Sequence, residues 1–308
     1  MKLISYISSL IIGASLILVF EPFNFWFLTF FIPLSLYFLI KDHDIKSSFY
    51  LGWFFGFGLW LIGIFWIENS IYFYGGATKS VSYSLVICLS AFLALLNGIF
   101  FGIFAYCKTK TNFDILFLFP SIWVGSEWIR EFLLSGFPWF YLGYTSLDNF
   151  FFSGFIPIFG VFGMSFILIF IPALIFVLGE SLISGRQKNI SLIYLTIFSL
   201  FLIASFSSYK VEWTTKKDEV NIVIIQPNIS IEEKWSFQGE NESINLFKSK
   251  IKEHSSKSKD KDILSIIFWP EVFLPGLSSK YTKVIDELEI YISAVSYTHL
   301  TLPTIVRV

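Results

Sequence analysis

Seven long apolar stretches occupy most of the first 207 residues of this chain and leave few folds open to it. A helix that crosses the hydrocarbon core of a bilayer needs about 17–25 apolar residues. The stretches cover residues 4–20, 24–40, 48–67, 81–106, 114–128, 152–179 and 190–207. The fifth is the weakest because it is short and Arg130 follows it. We therefore predict a multi-pass α-helical membrane bundle over residues 1–207.

Composition supports a membrane protein and excludes several other classes. Hydrophobic residues make up 55% of the chain, mean hydropathy is +0.69 and charged residues reach only 15%, against about 25% in soluble domains. Net charge is −1 without a basic tract, which excludes nucleic acid as a partner. Cys88 and Cys107 lie in apolar runs and lack metal-type spacing to any histidine. We expect no disulfide, metal or cofactor, and we interpret both thiols as small apolar residues of the bundle.

The distribution of lysine and arginine predicts the orientation of the bundle. Basic residues concentrate on the cytoplasmic side of membrane proteins. With a cytoplasmic N-terminus, seven lie on the inner side and two, Lys79 and Arg130, on the outer side. The inner ones are Lys2, Lys41, Lys46, Lys108, Lys110, Arg186 and Lys188. Seven spans then place the chain after residue 208 outside. A cleaved signal peptide over residues 1–20 is the alternative, but the further spans favour a retained first helix.

The composition changes abruptly after the last apolar stretch. Residues 208–219 form a polar linker. Residues 220–226 (VNIVIIQ) and 262–268 (DILSIIF) are β-branched apolar runs that predict buried strands. Between them, residues 240–256 carry apolar side chains at helical intervals. The order strand, helix, strand predicts the start of an α/β domain, such as an α-β-β-α sandwich, over residues 220–293.

Three segments in order resemble the apolipoprotein N-acyltransferase family. They are residues 126–144 (SEWIREFLLSGFPWFYLGY), 220–235 (VNIVIIQPNISIEEKW) and 267–276 (IFWPEVFLPG). The resemblance implies a membrane bundle joined to a periplasmic nitrilase-like domain in the bacterial inner membrane. It also implies transfer of an acyl chain from a phospholipid to the S-diacylglyceryl-cysteine of an apolipoprotein, through a thioester on a cysteine. The implied partners are the phospholipid donor, the apolipoprotein acceptor and membrane lipids, and we expect a monomer.

Glu271 is the predicted catalytic residue. The resemblance places it as the general base, because nitrilase-like enzymes combine a glutamate, a lysine and a nucleophilic cysteine. Its position agrees, since it follows a predicted buried strand and the rigid Trp269-Pro270 pair. A carboxylate beside apolar walls binds a proton more readily than one in water. An ordinary turn glutamate after a strand is the alternative.

Three aromatic residues are predicted to bind substrate. Trp235 matches a family tryptophan near the lipid entrance, although a packing role is equally open. Trp139 ends the helix-breaking GFPW sequence of residues 136–139, and Tyr144 follows it. Non-helical backbone at membrane depth must be enclosed by protein or water. This segment is predicted to shape a lipid pocket on the outer face, or else to be an interfacial turn with aromatic anchors.

Other motifs favour structural interpretations. Glu127 and Arg130 are three residues apart on one helical face and predict an ion pair, with phospholipid head-group contact as the alternative. The GxxxG sequence at 52–56 predicts close helix packing, and the glycine pair at 160–163 receives the same interpretation.

The sequence also departs from the family. No cysteine follows Cys107, and Lys280 and Lys283 follow Glu271 too closely to match the family lysine. Residues 294–308 resemble translated sequencing adapter, so we expect a truncated gene product with a non-native tail. As given, the chain is expected to be inactive.

Two other functions remain open. One is a membrane-tethered nitrilase-type amidase with a soluble substrate, against which the aromatic segments argue. The other is a transporter or membrane-assembly factor, for which paired broken helices or repeats would be expected.

Overall fold

A computed structural model describes the chain in two units, Met1–Trp213 and Thr214–Val308. The described residues are 2–133, 136–147, 149–184, 188–217, 219–234, 236–257, 264–268, 270, 278–284 and 286–287.

The first unit is a bundle of helices joined by short connections. Its α-helices are α1 (Lys2–Ser15), α2 (Ile32–Ile40), α3 (Ile45–Gly63), α4 (Ile67–Asn69), α5 (Lys79–Cys107), α6 (Phe119–Ile129), α7 (Ile156–Ser184) and α8 (Lys188–Ser208). The 3-10 turns are Leu16–Val19, Trp26–Phe30, Leu142–Ser146 and Ser153–Phe155. Single π-helical turns, Ser70–Tyr74 and Asp114–Leu118, follow α4 and precede α6. The predicted helical bundle is therefore confirmed.

The predicted spans differ in length. Among the described residues, four helical segments are long and apolar enough to cross a membrane: Ile45–Gly63, Lys79–Cys107, Ser153–Ser184 and Ser191–Ser208. They correspond to the third, fourth, sixth and seventh predicted spans. The first two are shorter apolar helices, Leu3–Val19 and Trp26–Ile40. The fifth is represented by the π-turn and the 11-residue α6. The count of seven crossings stays a prediction.

Glycines let α1, α3 and α5 approach one another closely. A Cβ added at Gly58 would lie 2.1 Å from the carbonyl oxygen of Leu10 in α1. On another face of α3, a Cβ at Gly56 would lie 2.5 Å from Oδ1 of Asn97 in α5. Side chains at these positions would push the helices apart, so the packing role predicted for residues 52–56 is confirmed.

The interpretation of residues 160–163 as a packing motif is wrong. Gly160 interrupts α7 with φ 61° and ψ −174°, a conformation that residues with a Cβ rarely adopt. A Cβ at Gly160 would meet nothing within 4 Å, and one at Gly163 would contact Phe159 of the same helix. The first glycine therefore makes a kink, which sequence spacing alone does not distinguish from a packing site.

Aromatic rings fill the centre of the bundle, while its flanks stay apolar. Trp60, Phe55, Phe101, Phe104 and Phe119 are fully buried. Many large apolar side chains on the outer faces of α5 and α8 are exposed, and only 17% of the apolar window of α8 is buried. Outward apolar faces of this extent are typical of helices in contact with lipid.

Polar connections meet at one end of the bundle. A cavity of about 210 Å³ is lined by residues from the end of α2, the segment before α6 and the end of α7, including Asp42, Lys110 and Glu180. Asp114 is buried beside it and accepts hydrogen bonds from the backbone N–H groups of Thr109 at 2.8 Å and Lys110 at 2.6 Å. These connections belong to the predicted inner side, so their meeting agrees with the alternation of the predicted spans.

The second unit contains the predicted order of strand, helix and strand. Its elements are β1 (Val220–Ile224), α9 (Ile231–Lys234), α10 (Phe237–Lys257) and β2 (Leu264–Phe268), followed by a 3-10 turn at Ser278–Tyr281. The strands pair in parallel, with Val220 opposite Leu264. Parallel pairing requires a crossover, and α10 lies within it.

Burial of both strands was predicted, but most of their described apolar side chains are exposed, including Ile266 at 37% and Phe268 at 50% in β2. Val220, Ile222 and Ile224 are 45%, 55% and 76% exposed. In α10, by contrast, Phe247 and Ile251 are buried. A parallel sheet is buried only when both its faces are covered, and the described part of this unit supplies a single long helix.

Candidate functional site

The GFPW sequence forms a loop after α6, as its glycine and proline predict. Gly136 has φ 99° and Phe140 has φ 58°. Positive φ is unusual for a phenylalanine and indicates a backbone held by its surroundings. The N–H of Phe137 donates to the carbonyl oxygen of Arg130 at 2.8 Å, which turns the chain back along the end of α6.

Aromatic contacts fix the side chains of this loop. The ring of Trp139 lies 5.4 Å from that of Trp66 and 4.7 Å from that of Phe137, between ring centroids. Tyr144, on the 3-10 turn after the loop, stacks on Tyr141 at 5.9 Å. Offset and tilted pairs of this kind are favourable arrangements for aromatic rings.

The two predicted substrate-binding residues of the bundle line one cavity of about 510 Å³. Three segments form its walls: the connection between α1 and α2, the residue before α4, and the loop after α6. The lining residues are Val19, Phe20, Glu21, Asn24, Trp66, Pro138, Trp139, Phe140, Tyr144, Thr145 and Leu147. A largely apolar cavity with a few polar groups suits an amphiphilic ligand. These lining residues are suited to binding, and catalytic groups would have to come from elsewhere.

Sequence reasoning missed half of this cavity. Trp66, Glu21 and Asn24 received no functional interpretation, although each lines the cavity. The sequence contained one signal that could have indicated these residues: all three walls come from connections on the predicted outer side. Which of those connections meet depends on helix packing, and sequence alone does not give it.

Glu127 lies beneath the loop and binds it. The residue is 1% exposed. Its Oε1 accepts hydrogen bonds from the indole N–H of Trp123 and the backbone N–H of Leu142, both at 2.9 Å. A buried carboxylate needs such donors, because burial without them is costly. The carboxylate therefore ties α6 to the chain that follows Trp139.

Arg130 also binds the loop. It is 5% exposed, and its Nη1 donates to the carbonyl oxygen of Trp139 at 3.3 Å. The guanidinium carbon lies 5.0 Å from the ring of Trp60 and 5.1 Å from that of Tyr141. Both contacts are within the range of cation–π attraction.

The predicted pair of Glu127 and Arg130 is not among the ion pairs of the described residues. Both side chains turn to the loop and its aromatic neighbours instead. Their burial also disfavours the alternative, direct contact with a phospholipid head group.

The other two predicted site residues, Glu271 and Trp235, lie outside the described residues. Their flanks are described. Helix α9 ends at Lys234 and begins with a capping pair, in which the N–H of Glu233 donates to Oγ of Ser230 at 3.2 Å. Strand β2 ends at Phe268, three residues before Glu271.

Lys280, the two cysteines and metal-binding clusters are the remaining candidates for catalytic chemistry. Lys280 donates to Glu240 at 2.6 Å, and this hydrogen bond raises the pKa of Lys280. Cys88 and Cys107 are free thiols on the exposed surface of α5. Among the described residues, no group of three or more His, Cys, Asp or Glu is placed to hold a metal ion.

The sequence of this chain is similar to that of known proteins. Residues 12–174 match the family model described as the apolipoprotein N-acyltransferase N-terminal domain. The chain is 31% identical over 281 residues to a protein from Pasteurella multocida named apolipoprotein N-acyltransferase, covering 90% of this chain and 52% of the relative. Proteins of that name from Coxiella burnetii and Haemophilus influenzae are 32% and 28% identical over 285 and 292 residues, covering 91% and 94% of this chain.

The matched region contains the end of α1, helices α2–α6, the cavity-forming loop and the first part of α7. The chain spans about half the length of the curated relatives it matches: 52% of the Pasteurella protein, 56% of the Coxiella protein and 53% of the Haemophilus protein.

Proposed function

Because this chain belongs to the apolipoprotein N-acyltransferase family, we propose that it is the membrane bundle and the first part of the nitrilase-like domain of such an enzyme. The enzyme would transfer an acyl chain from a phospholipid to the α-amino group of the S-diacylglyceryl-cysteine of an apolipoprotein. Residues 1–308 alone would be an inactive part of it.

The cavity lined by Trp139 and Tyr144 is the observation that supports a lipid substrate. Its walls are mainly apolar, and Glu21, Asn24 and Thr145 add polar groups. We propose that it receives part of the phospholipid, with the indole of Trp139 against the apolar portion. Such an indole combines a large apolar face with one polar N–H.

The proposed chemistry proceeds through two acyl transfers. A cysteine thiolate, supplied by the rest of the enzyme, attacks the ester carbonyl carbon, and the C–O bond breaks to release a lysophospholipid. Glu271 takes the thiol proton and passes it to the leaving oxygen. The acceptor's neutral amine then attacks the thioester, forms the amide and regenerates the thiol with the proton that the amine loses. One covalent intermediate lets both substrates use one site in turn.

The complete gene product should form an acyl-enzyme from phospholipid. We expect incubation with a phospholipid carrying a fluorescent acyl chain to label the purified enzyme with a band that hydroxylamine removes, since hydroxylamine cleaves thioesters. A diacylglyceryl lipopeptide should then discharge the label into an amide. Hydrolysis of a soluble amide without phospholipid labelling would instead favour the amidase, and neither activity would favour a non-enzymatic membrane role.

We further propose that the enzyme is a monomer in the inner membrane, with the chain after residue 208 in the periplasm. The basic residues on the predicted inner side and the meeting of their connections in one polar cavity support this orientation. Alkaline phosphatase fused after Lys216 should be active, and a fluorescent protein that folds only in the cytoplasm should be dark there. A fusion after Asp42 should give the opposite pair of signals. Equal signals at the two sites would contradict the proposed topology.

A further inference from the structure

We propose that Glu127 and Arg130 are positioning residues, which hold the loop of residues 137–142 in the shape that forms one wall of the lipid cavity. The inference deepens the proposed function and rests on it for the identity of the ligand. Neither residue lines the cavity. Their influence on a bound lipid must therefore pass through the loop.

Three hydrogen bonds fasten the loop to the end of α6. The N–H of Phe137 donates to the carbonyl oxygen of Arg130 at 2.8 Å. The guanidinium of Arg130 donates to the carbonyl oxygen of Trp139, and the N–H of Leu142 donates to Glu127. These bonds fall before, at and after Pro138, Trp139 and Phe140, the cavity-lining residues of this loop. Two of them depend on a charged side chain, and bonds to charged groups are stronger than neutral ones.

The backbone between these bonds adopts a conformation that it would not keep unaided. Phe140 has φ 58°, which is sparsely populated for a residue with a Cβ. Its ring nevertheless lies 5.2 Å from that of Phe20 and 5.9 Å from that of Trp60, so this conformation directs Phe140 into the cavity wall. Without the bonds at Trp139 and Leu142, the loop is expected to relax toward negative φ and withdraw that wall.

Burial makes the two charged residues effective in this role. Oε2 of Glu127, Nε of Arg130 and the hydroxyl of Tyr141 are buried without a hydrogen-bond partner among the described residues. In such surroundings the bonds that are made gain strength from the low dielectric. The contacts of the Arg130 guanidinium with the rings of Trp60 and Tyr141 further fix its donor, and a lysine would not replace a guanidinium in such contacts.

An adjacent amide provides an internal reference for a test. The N–H of Gly143 donates to Oγ of Ser165 at 2.8 Å and not to either charged residue. Loss of Glu127 should therefore affect the Leu142 amide most, because it removes that bond directly, and the Gly143 amide less, because the Ser165 side chain that holds Gly143 also interacts with Glu127.

The test is amide hydrogen exchange on residues 1–308 in detergent, resolved to single amides within residues 136–147. We expect Glu127→Ala to speed exchange at Leu142 by roughly 10–100-fold, the equivalent of one charge-assisted hydrogen bond. Arg130→Ala should speed exchange at Phe137 and Leu142. Glu127→Gln, which keeps the Oε1 acceptor, should restore most of the protection at Leu142. Glu131→Ala removes an exposed carboxylate at the same helix end and should change nothing. Unchanged exchange in α3 and α5 shows that the bundle is intact.

The same variants are then titrated with phosphatidylcholine carrying a pyrene-labelled acyl chain, with tryptophan-to-pyrene energy transfer as the signal. Glu127→Ala and Arg130→Ala should weaken saturable binding about tenfold or more, and Glu127→Gln should restore it. Unchanged exchange in the alanine variants would overturn the proposal, as would faster exchange with unaltered lipid binding. A wild-type chain that binds no lipid would count against the proposed function, and the exchange comparison would still decide whether these residues hold the loop.

Discussion

Glu271→Gln in the complete enzyme is expected to lower the rate of acyl-enzyme formation by about 10²–10⁴-fold, the usual cost of removing a general base. Glutamine preserves the size of the side chain but does not accept the thiol proton, so the thiolate would no longer form beside the ester. Protein level and membrane insertion should stay unchanged. The measurement is the initial rate of hydroxylamine-sensitive labelling from a fluorescent phospholipid.

A matched control is available in the same unit. Glu253 is an exposed carboxylate on α10 that pairs with Lys250 at 3.0 Å, and Glu253→Gln should label at the normal rate. Near-normal labelling of Glu271→Gln would contradict the assignment of the base. Equal losses in both variants would indicate a folding effect instead of a catalytic one.

Trp139→Ala should raise the half-saturating phospholipid concentration by roughly 10–100-fold, because removing a large apolar side chain forfeits about 1.5–3 kcal/mol of burial. The indole forms part of the cavity wall and packs against the ring of Trp66, so its loss opens that wall. The maximal rate of acyl transfer should change less, because Trp139 is assigned to binding. Steady-state rates measured across phospholipid concentrations in the complete enzyme separate the two parameters.

Trp128→Ala is the control for this substitution. Trp128 is an exposed tryptophan of α6 that packs on Phe132 and does not line the cavity. Trp139→Phe should recover part of the affinity, because it keeps an apolar ring in the wall. A similar loss in the Trp128 variant would assign the effect to general membrane anchoring and not to the cavity.

Local signals in the sequence predicted the helices, the loop and the strand order. Continuous apolar runs gave the bundle, the glycine and proline of residues 136–139 gave the break after α6, and β-branched runs gave β1 and β2. In each case the residues that determine the element lie within it, so neighbouring sequence was sufficient.

Features set by packing were not predictable in the same way. The spacing of Glu127 and Arg130 is that of a helical ion pair, yet the Leu142 amide and the Trp60 ring proved to be their partners. Trp66 lines the cavity where its ring contacts that of Trp139, which lies more than seventy positions later in the chain. Gly160 had the appearance of a packing glycine and is a kink, because only its backbone conformation distinguishes the two.

The unequal lengths of the helices also bear on the surrounding bilayer. At about 1.5 Å per residue, the 29 residues of α5 extend over roughly 43 Å, beyond a hydrocarbon core of about 30 Å. The apolar segments Leu3–Val19 and Trp26–Ile40 are much shorter. A membrane accommodates such a mismatch by thinning beside short helices, while long helices tilt. Val19 ends the first of these segments, Phe20 and Asn24 lie between the two, and all three residues line the cavity. We expect the lipids beside these short segments to have compressed chains, and such lipids lose less packing with their neighbours when they leave the leaflet.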